Sequence, residues 1–227
     1  MSSGFMDNLI ALVNPKYKKV GDYVEDILNE YKVRHPVYEE FRLVSHKAIE
    51  ALLEEGGYKY QISSRTKTPE RLQEKIIRKK DQGTFYSSIN DIEDLVGLRI
   101  IFYTERDKER FINRIKSEID GFMKIEELEK INGYKSTHIV MSFGPKRLKL
   151  SEYKHFNGLK SEIQITSILH HAWAEIEHDL IYKDIHNLKA NNPKRYELIK
   201  EKMSQLMEKY IKKAAKELEE VIEQDVR

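Results

Sequence analysis

The 227-residue chain contains no cysteine. Disulfides, cysteine-ligated zinc and thiol catalysis are therefore excluded, and any chemistry must come from oxygen and nitrogen groups. There is no apolar run long enough to cross a bilayer, and no basic-then-apolar leader at the N-terminus. A cytoplasmic protein with no membrane partner is expected. Net charge is nearly absent too: the balance is +2, which by itself argues neither for nor against a nucleic-acid partner. No internal repeat or low-complexity tract is present. What the chain does have is 40% hydrophobic content and length for one large or two small domains, ample for a real core.

The charges are unevenly placed. Between Lys59 and Lys80 stand eight Lys or Arg against two Glu, and acids return at Asp91, Glu93 and Asp94. A basic stretch followed by an acidic turn suits a polyphosphate held beside its magnesium, and equally suits an ordinary charged surface. The stretch "EDLVGLRIIF" (93–102) sharpens the question. Its β-branched and aromatic residues read as a strand, interrupted by Arg99, with Gly97 marking a bend or a close approach. The plain reading pairs Arg99 with Asp94 or Glu93. The sharper one is a metal-holding carboxylate beside a nucleotide-binding guanidinium.

Hydrophobic periodicity predicts two helices over Tyr23–Leu53, broken near Pro36 and ended by Gly56-Gly57. A short strand is expected over Tyr58–Ser63. Thr68-Pro69-Glu70 is a helix start, with a capping hydroxyl and proline at the first position, and Gly83 would close that helix. Further strands are expected at Leu98–Tyr103, Ile139–Phe143 and Leu159–Ile165, with helices at Asp107–Ile119 and Ile168–Tyr182. Residues from Ile199 to Val221 read as one long amphipathic helix, after a loop at Asn191-Asn192-Pro193. The fold class is α/β (α+β): a mixed sheet flanked by helices, with helical extensions at both ends.

Several residues could carry chemistry. Arg71, Lys75, Arg78 and Lys79 form one stripe of the Pro69 helix, opposite Leu72 and Ile76. With Arg65 and Lys67 just upstream, six cations could converge on a triphosphate; the plain alternative is a solvated basic face. Tyr134 and His138 lie at the mouth of a strand. Glu162 and Gln164 lie on the face opposite Leu159, Ser161, Ile163 and Ile165, and pairing with the Arg99 strand would bring Glu162 towards Asp94. Two carboxylates with phosphate oxygens are what Mg²⁺ uses. His171, Glu175 and His178 share a helical face, but they are not the zinc-hydrolase arrangement, and polar helix-to-sheet contacts fit them better.

The order R-x-K, a basic helix, D-x-x-G-x-R, N-G-Y-x-S-x-H, E-I-Q-I and H-A-W-A-E-I-E-H-D-L-x-Y-K resembles the synthetase domain of the RelA/SpoT family, from about Tyr31 to Lys183. The resemblance implies a nucleotidyltransferase-like synthetase domain over 23–185, behind a tail (1–22) and ahead of an amphipathic helix (186–227). It implies a small stand-alone synthetase that moves the β,γ-diphosphate of ATP to a ribose 3′-hydroxyl. Carried over by position, Arg65 and Arg99 would clamp adenine, and Lys67 and Lys75 would hold the ATP phosphates; Arg71 and Arg78, from the basic stripe of the Pro69 helix, are candidates for the same ATP site. Asp94 and Glu162 would be catalytic and hold Mg²⁺. Tyr134 would stack on the acceptor base, with Lys130, His138 and Gln164 around its ribose and phosphates. Two positions depart from the family pattern: Arg71 stands where a serine is usual, and Thr166-Ser167 where arginine-threonine is usual. The departures bear on the acceptor. The favoured acceptor is the 3′-terminal adenosine of tRNA, which would make the protein a toxin with a separate antitoxin partner. The alternatives are GDP or GTP, giving an alarmone, and an inactive nucleotide-binding regulator. A homo-oligomer is compatible with the pattern.

Overall fold

The computed structural model describes residues 7, 8, 10, 12, 20–119, 121, 123–129, 135–184 and 186–225. Its centre is a five-stranded sheet: β1 (Tyr60–Thr66), β2 (Val96–Phe102), β3 (Met123–Glu129), β4 (Lys135–Met141) and β5 (Ser161–Ser167). The order is β1-β2-β5-β4-β3, with β2 and β5 parallel and the other pairs antiparallel. This is the mixed sheet read from the sequence. Leu98, Ile100, Ile163, Ile165 and Ile139 are buried on one face. The other face stays open because its positions on β1 (Gln61, Ser63, Arg65), on β2 (Gly97, Arg99) and on β5 (Glu162, Gln164, Thr166) are polar or glycine, with Ile101 the exception.

The buried face is covered by α1 (Val20–Glu55) and α3 (Glu105–Glu118). Here the sequence expectation fails, because α1 is one helix that runs through Pro36. An interior proline costs a helix about 3 kcal/mol. On either side of it, Tyr31, Tyr38 and Phe41 are fully buried, and each such side chain contributes about 1.5–3 kcal/mol. Burial outweighs the break, with Pro36 itself on the exposed side.

α2 (Pro69–Asp81) starts as expected, with the Thr68 hydroxyl accepting from Arg71 N and Pro69 at the first turn; it buries Leu72 and Ile76. Gly83 follows with φ +81°, the left-handed conformation that glycine adopts without strain. The edge strand β3 has no counterpart in the sequence reading. Its Lys and Glu content reads as helix or loop, and charge is what protects an exposed sheet edge from pairing. Two short helical turns, α4 (Pro145–Leu148) and a 3-10 segment (Ser151–Phe156), lead into β5.

α5 (Ile168–Glu177) leaves β5 directly and ends in a π-helical turn over His178–Tyr182. After α6 (Leu188–Asn191) the C-terminal segment is helical but not one α-helix: α7 (Pro193–Leu206) and α8 (Lys212–Asp225) are joined by a π-helical turn over Met207–Ile211. Trp173 docks it, donating Nε1–H to Met203 O at 2.8 Å and packing on Met203 and Met207.

A buried polar cluster locks the β5–α5 corner to the start of α3. Glu105 is hydrogen-bonded to Lys108 and to the Ser167 hydroxyl, and lies 2.7 Å from His170 Nδ1. Burial opposes ionisation of Glu105, yet His170, Lys108 and Ser167 together hold its pKa at about 2, against an ordinary 4.5. A depressed carboxylate pKa gives stability that is present above the unfolded value and lost as pH falls from about 4.5 towards 2. That difference corresponds to about 3 kcal/mol. Glu105→Gln should therefore lose roughly this much stability in urea unfolding at pH 7, and the gap from the native chain should close on acidification. A gap that is constant down to pH 2 would show that the carboxylate charge is not what holds the corner.

Candidate active site

The open face assembles the site through strand register. One row across the sheet is Arg65, Gly97, Glu162; the next is Ser63, Arg99, Gln164, His138. Because Gly97 has no side chain, the space between Arg65 and Glu162 stays clear, and a Cβ built there would meet nothing within 4 Å. The result is a cavity of about 250 Å³, lined by Arg65, Lys67, Asp94, Arg99, Glu162 and Gln164. Gly97 thus forms part of the floor of an open pocket, with no bulge or bend in the β1–β2 and β2–β5 registers and, among the described residues, no protein group approaching it.

Asp94 reaches the cavity from the turn before β2. Upstream, Ser88 caps a short 3-10 turn, Ile89–Asp91, and Asp91 accepts from the Ser87 and Ser88 backbone N–H groups at 2.7 and 2.9 Å. Glu93 turns to Lys160 at 3.3 Å and Lys124 at 3.7 Å. Asp94 alone faces inward, between Lys75 Nζ at 2.6 Å and Lys67 Nζ at 3.2 Å. Lys67 is kept there by its N–H to Leu95 O at 2.8 Å, and its carbonyl accepts from the buried Tyr31 hydroxyl. α1 also props β1 through Arg42, which donates to Ser64 Oγ at 2.9 Å. Burial pushes the Asp94 pKa up, but the adjacent Lys75 and Lys67 charges outweigh it and leave the carboxyl below its usual value.

Glu162 shows the same balance. Burial raises its pKa, while His138 and Gln164 lower it further than Asp94 raises it. His138 Nδ1 lies 3.4 Å from Glu162 Oε1, and Gln164 donates Nε2–H to Glu162 Oε2 at 2.9 Å. Both carboxylates are thus ionised in a shared cavity. Asp94 Oδ1 is buried and lies 2.6 Å from Lys75 Nζ. Two hard carboxylates facing one cavity fit magnesium, which binds through one or two carboxylates and completes its shell with phosphate and water. Among the described residues no three acids or histidines converge into an all-protein metal cage.

Other sequence-predicted residues are placed differently. Arg99 pairs with neither Asp94 nor Glu93; it points along the open face to Glu175, Nη1 to Oε1 at 2.9 Å, while Lys67 and Lys75 take Asp94 and Lys160 and Lys124 take Glu93. Six cations do not converge. Arg71 is exposed and paired with Glu74 at 2.9 Å, and neither it nor the exposed Arg78 lines the cavity. Lys130 and Tyr134 lie outside the described residues. Of the His171, Glu175 and His178 face, Glu175 goes to Arg99, with His171 at 3.8 Å, whereas His178 sits against Asp179. Glu175 thus makes the helix-to-sheet polar contact expected of this face; its partner, Arg99, was not legible, since a helix-to-strand pair distant in sequence leaves no local signature.

The class of the protein is an α+β domain whose mixed sheet has one open polar face carrying two carboxylates and flanking cations. Residues 64–187 match the family model described as the region found in RelA / SpoT proteins, and the chain belongs to that family. Among curated proteins it is 32% identical over 124 residues to GTP pyrophosphokinase YwaC of Bacillus subtilis (strain 168), an alignment spanning 53% of this chain and 57% of that one. The chain thus covers just over half of that relative's length. The fold is shared with solved structures of small alarmone synthetase 2 from Bacillus subtilis (TM-score 0.64, 22% identity, 86% of this chain and 99% of the other). It is also shared with small alarmone synthetase 1 from the same organism bound to its product pppGpp (TM-score 0.61, 22% identity, 88% and 97%). No helix among the described residues is long and apolar enough to cross a membrane.

Proposed function

We propose that the protein is a pyrophosphokinase that transfers the β,γ-diphosphate of ATP to a ribose 3′-hydroxyl. The observation that carries this reading is the single cavity in which Asp94, Glu162, Lys67 and the two arginines meet. Family membership and the name of the curated relative support it. In this reading Arg65 and Arg99 take the two faces of adenine, and Lys67 and Lys75 neutralise the phosphates. The 3′-oxygen attacks the β-phosphorus, the bond to the α-phosphate oxygen breaks, AMP leaves, and Glu162 takes the hydroxyl proton. Asp94 and Glu162 would hold Mg²⁺, which supplies charge neutralisation for the transferred group. A carboxylate with a lowered pKa is a weak base, so the proton moves late; a loose phosphoryl transition state, in which the nucleophile gains little bonding, allows this.

For the acceptor, the favoured reading is the 3′-terminal adenosine of tRNA, which would make the protein an inhibitor of translation. Around the small recess beside Gln164 stand Ser136, His138, Thr166, His171 and Glu175, and its cation among the described residues is Arg99, already paired with Glu175. Thr166, where the family pattern has arginine, is buried. A nucleoside di- or triphosphate brings several charges that need cations; an RNA terminus brings one diester. Lys32 and Lys80 line a separate groove of about 430 Å³ between α1 and α2, suited to duplex phosphates. The second reading, GDP or GTP, is favoured by the relative's name and by the pppGpp held in the structural neighbour.

Labelled ATP offered with deacylated tRNA or with GDP separates the two. Transfer to tRNA should fall steeply with salt through counterion release, and Lys32→Glu should cripple it while hardly touching GDP. Arg34 is the poorer probe, since it already bridges Glu30 and Asn90. Robust synthesis from GDP with no labelled tRNA at low salt would replace the first reading with the second.

A further inference from the structure

The guanidinium of Arg99 is held from two different elements. Nη1 donates to Glu175 Oε1 on α5 at 2.9 Å, and Nη2 donates to Gln164 Oε1 on β5 at 3.4 Å. The Gln164 amide passes the order on, donating Nε2–H to Glu162 Oε2 at 2.9 Å. One amide orientation satisfies both neighbours: oxygen to the guanidinium, nitrogen to the carboxylate. Glu175, Arg99, Gln164 and Glu162 therefore form one line across the open face. The Arg99–Glu175 pair is solvent-accessible, with side-chain exposures of 38% and 56%, and exposed pairs of this kind add little to stability. Its consequence is geometric. Two anchors on the guanidinium define its plane, and across Gly97 no side chain separates that plane from Arg65.

We propose that Glu175 is a positioning residue for the donor site: it fixes the stacking plane of Arg99 and, through Gln164, the orientation of the Glu162 carboxylate. The proposal rests on the reading of Arg65 and Arg99 as the adenine clamp. Glu175 itself need touch neither nucleotide. Its charge also offsets that of Arg99, so the guanidinium presents a flat face to a base instead of competing for phosphates with Lys67 and Lys75.

The test compares Glu175→Ala, Glu175→Gln and Arg99→Ala in the full chain. Measured are the dissociation constant of α,β-methylene-ATP, the KM values for ATP and acceptor, and the melting temperature. Glu175→Ala should weaken the analogue and raise the ATP KM roughly fivefold, a coupling typical of contacting side chains, with the melting temperature unchanged. Glu175→Gln keeps an oxygen for Nη1 and should recover most of the loss. In the Arg99→Ala background, Glu175→Ala should add nothing. If Arg99→Ala weakens the analogue and Glu175→Ala does not, or if the two losses add, the clamp stands and the positioning role falls. If Arg99→Ala leaves the analogue's affinity unchanged, the clamp and the role of Glu175 fall together. A lowered melting temperature with unchanged affinity would reduce Glu175 to a structural contact.

Discussion

Asp94→Asn and Glu162→Gln should each cut diphosphate transfer by about 100-fold or more, the usual cost of removing one preorganised electrostatic group from an active site. Both replacements keep the side chain's shape, so the loss tracks charge. The two variants should nevertheless behave differently in stability. Asp94 is flanked by two partly buried ammonium groups, and its amide would leave Lys67 and Lys75 repelling one another, lowering the melting temperature. Glu162 is held by His138 and Gln164, neither a permanent charge, and its amide should be tolerated by the fold. Single-turnover transfer from labelled ATP at saturating magnesium gives the rate, and calorimetry gives the stability. Transfer near the native rate in either variant would remove that carboxylate from the chemistry.

Arg65→Lys and Arg99→Lys should each weaken ATP binding by roughly tenfold, although both keep the positive charge. Lysine lacks the flat, delocalised guanidinium that stacks on a purine, and a desolvated cation–π contact contributes about 1–2 kcal/mol. Arg99→Lys should be the worse of the two, because an ammonium cannot hold Glu175 and Gln164 with two parallel N–H groups. Arg65, exposed at the end of β1, has no comparable tethers among its described contacts. Equilibrium binding of ATP set against CTP reads the effect. A loss that is equal for the two bases would point to phosphate binding by these arginines and against a base clamp.

Much of the site was legible in the chain because it depends on period-two alternation. Once β2 and β5 are strands, Gly97 and Arg99 must share a face, as must Glu162 and Gln164. Asp94 was legible for another reason: an acid immediately ahead of a buried strand end, opposite a basic helix capped at Thr68, has cations within reach. The same local logic misled in two places. Arg71 lies on the same stripe as Lys75, yet it sits a turn nearer the helix start, where Glu74 is closer than the cavity. Pro36 carries a strong local break signal that the burial of Tyr31, Tyr38 and Phe41 overrides.

The sequence by itself determined the class of fold, the capped start of α2, the two faces of β5 and the ordered motifs that place the chain in its family. All of these are set by residue type at short spacing, where backbone geometry leaves few choices. Tertiary structure decided which charges meet. It turned Glu93 outward to Lys160 and Asp94 inward to Lys67 and Lys75, and it brought Glu175 on α5 to Arg99 on β2. It also placed Glu105 under His170. Ion pairs form wherever the fold places side chains within a few ångströms, and that proximity depends on strand order and helix packing, which are global properties of the chain.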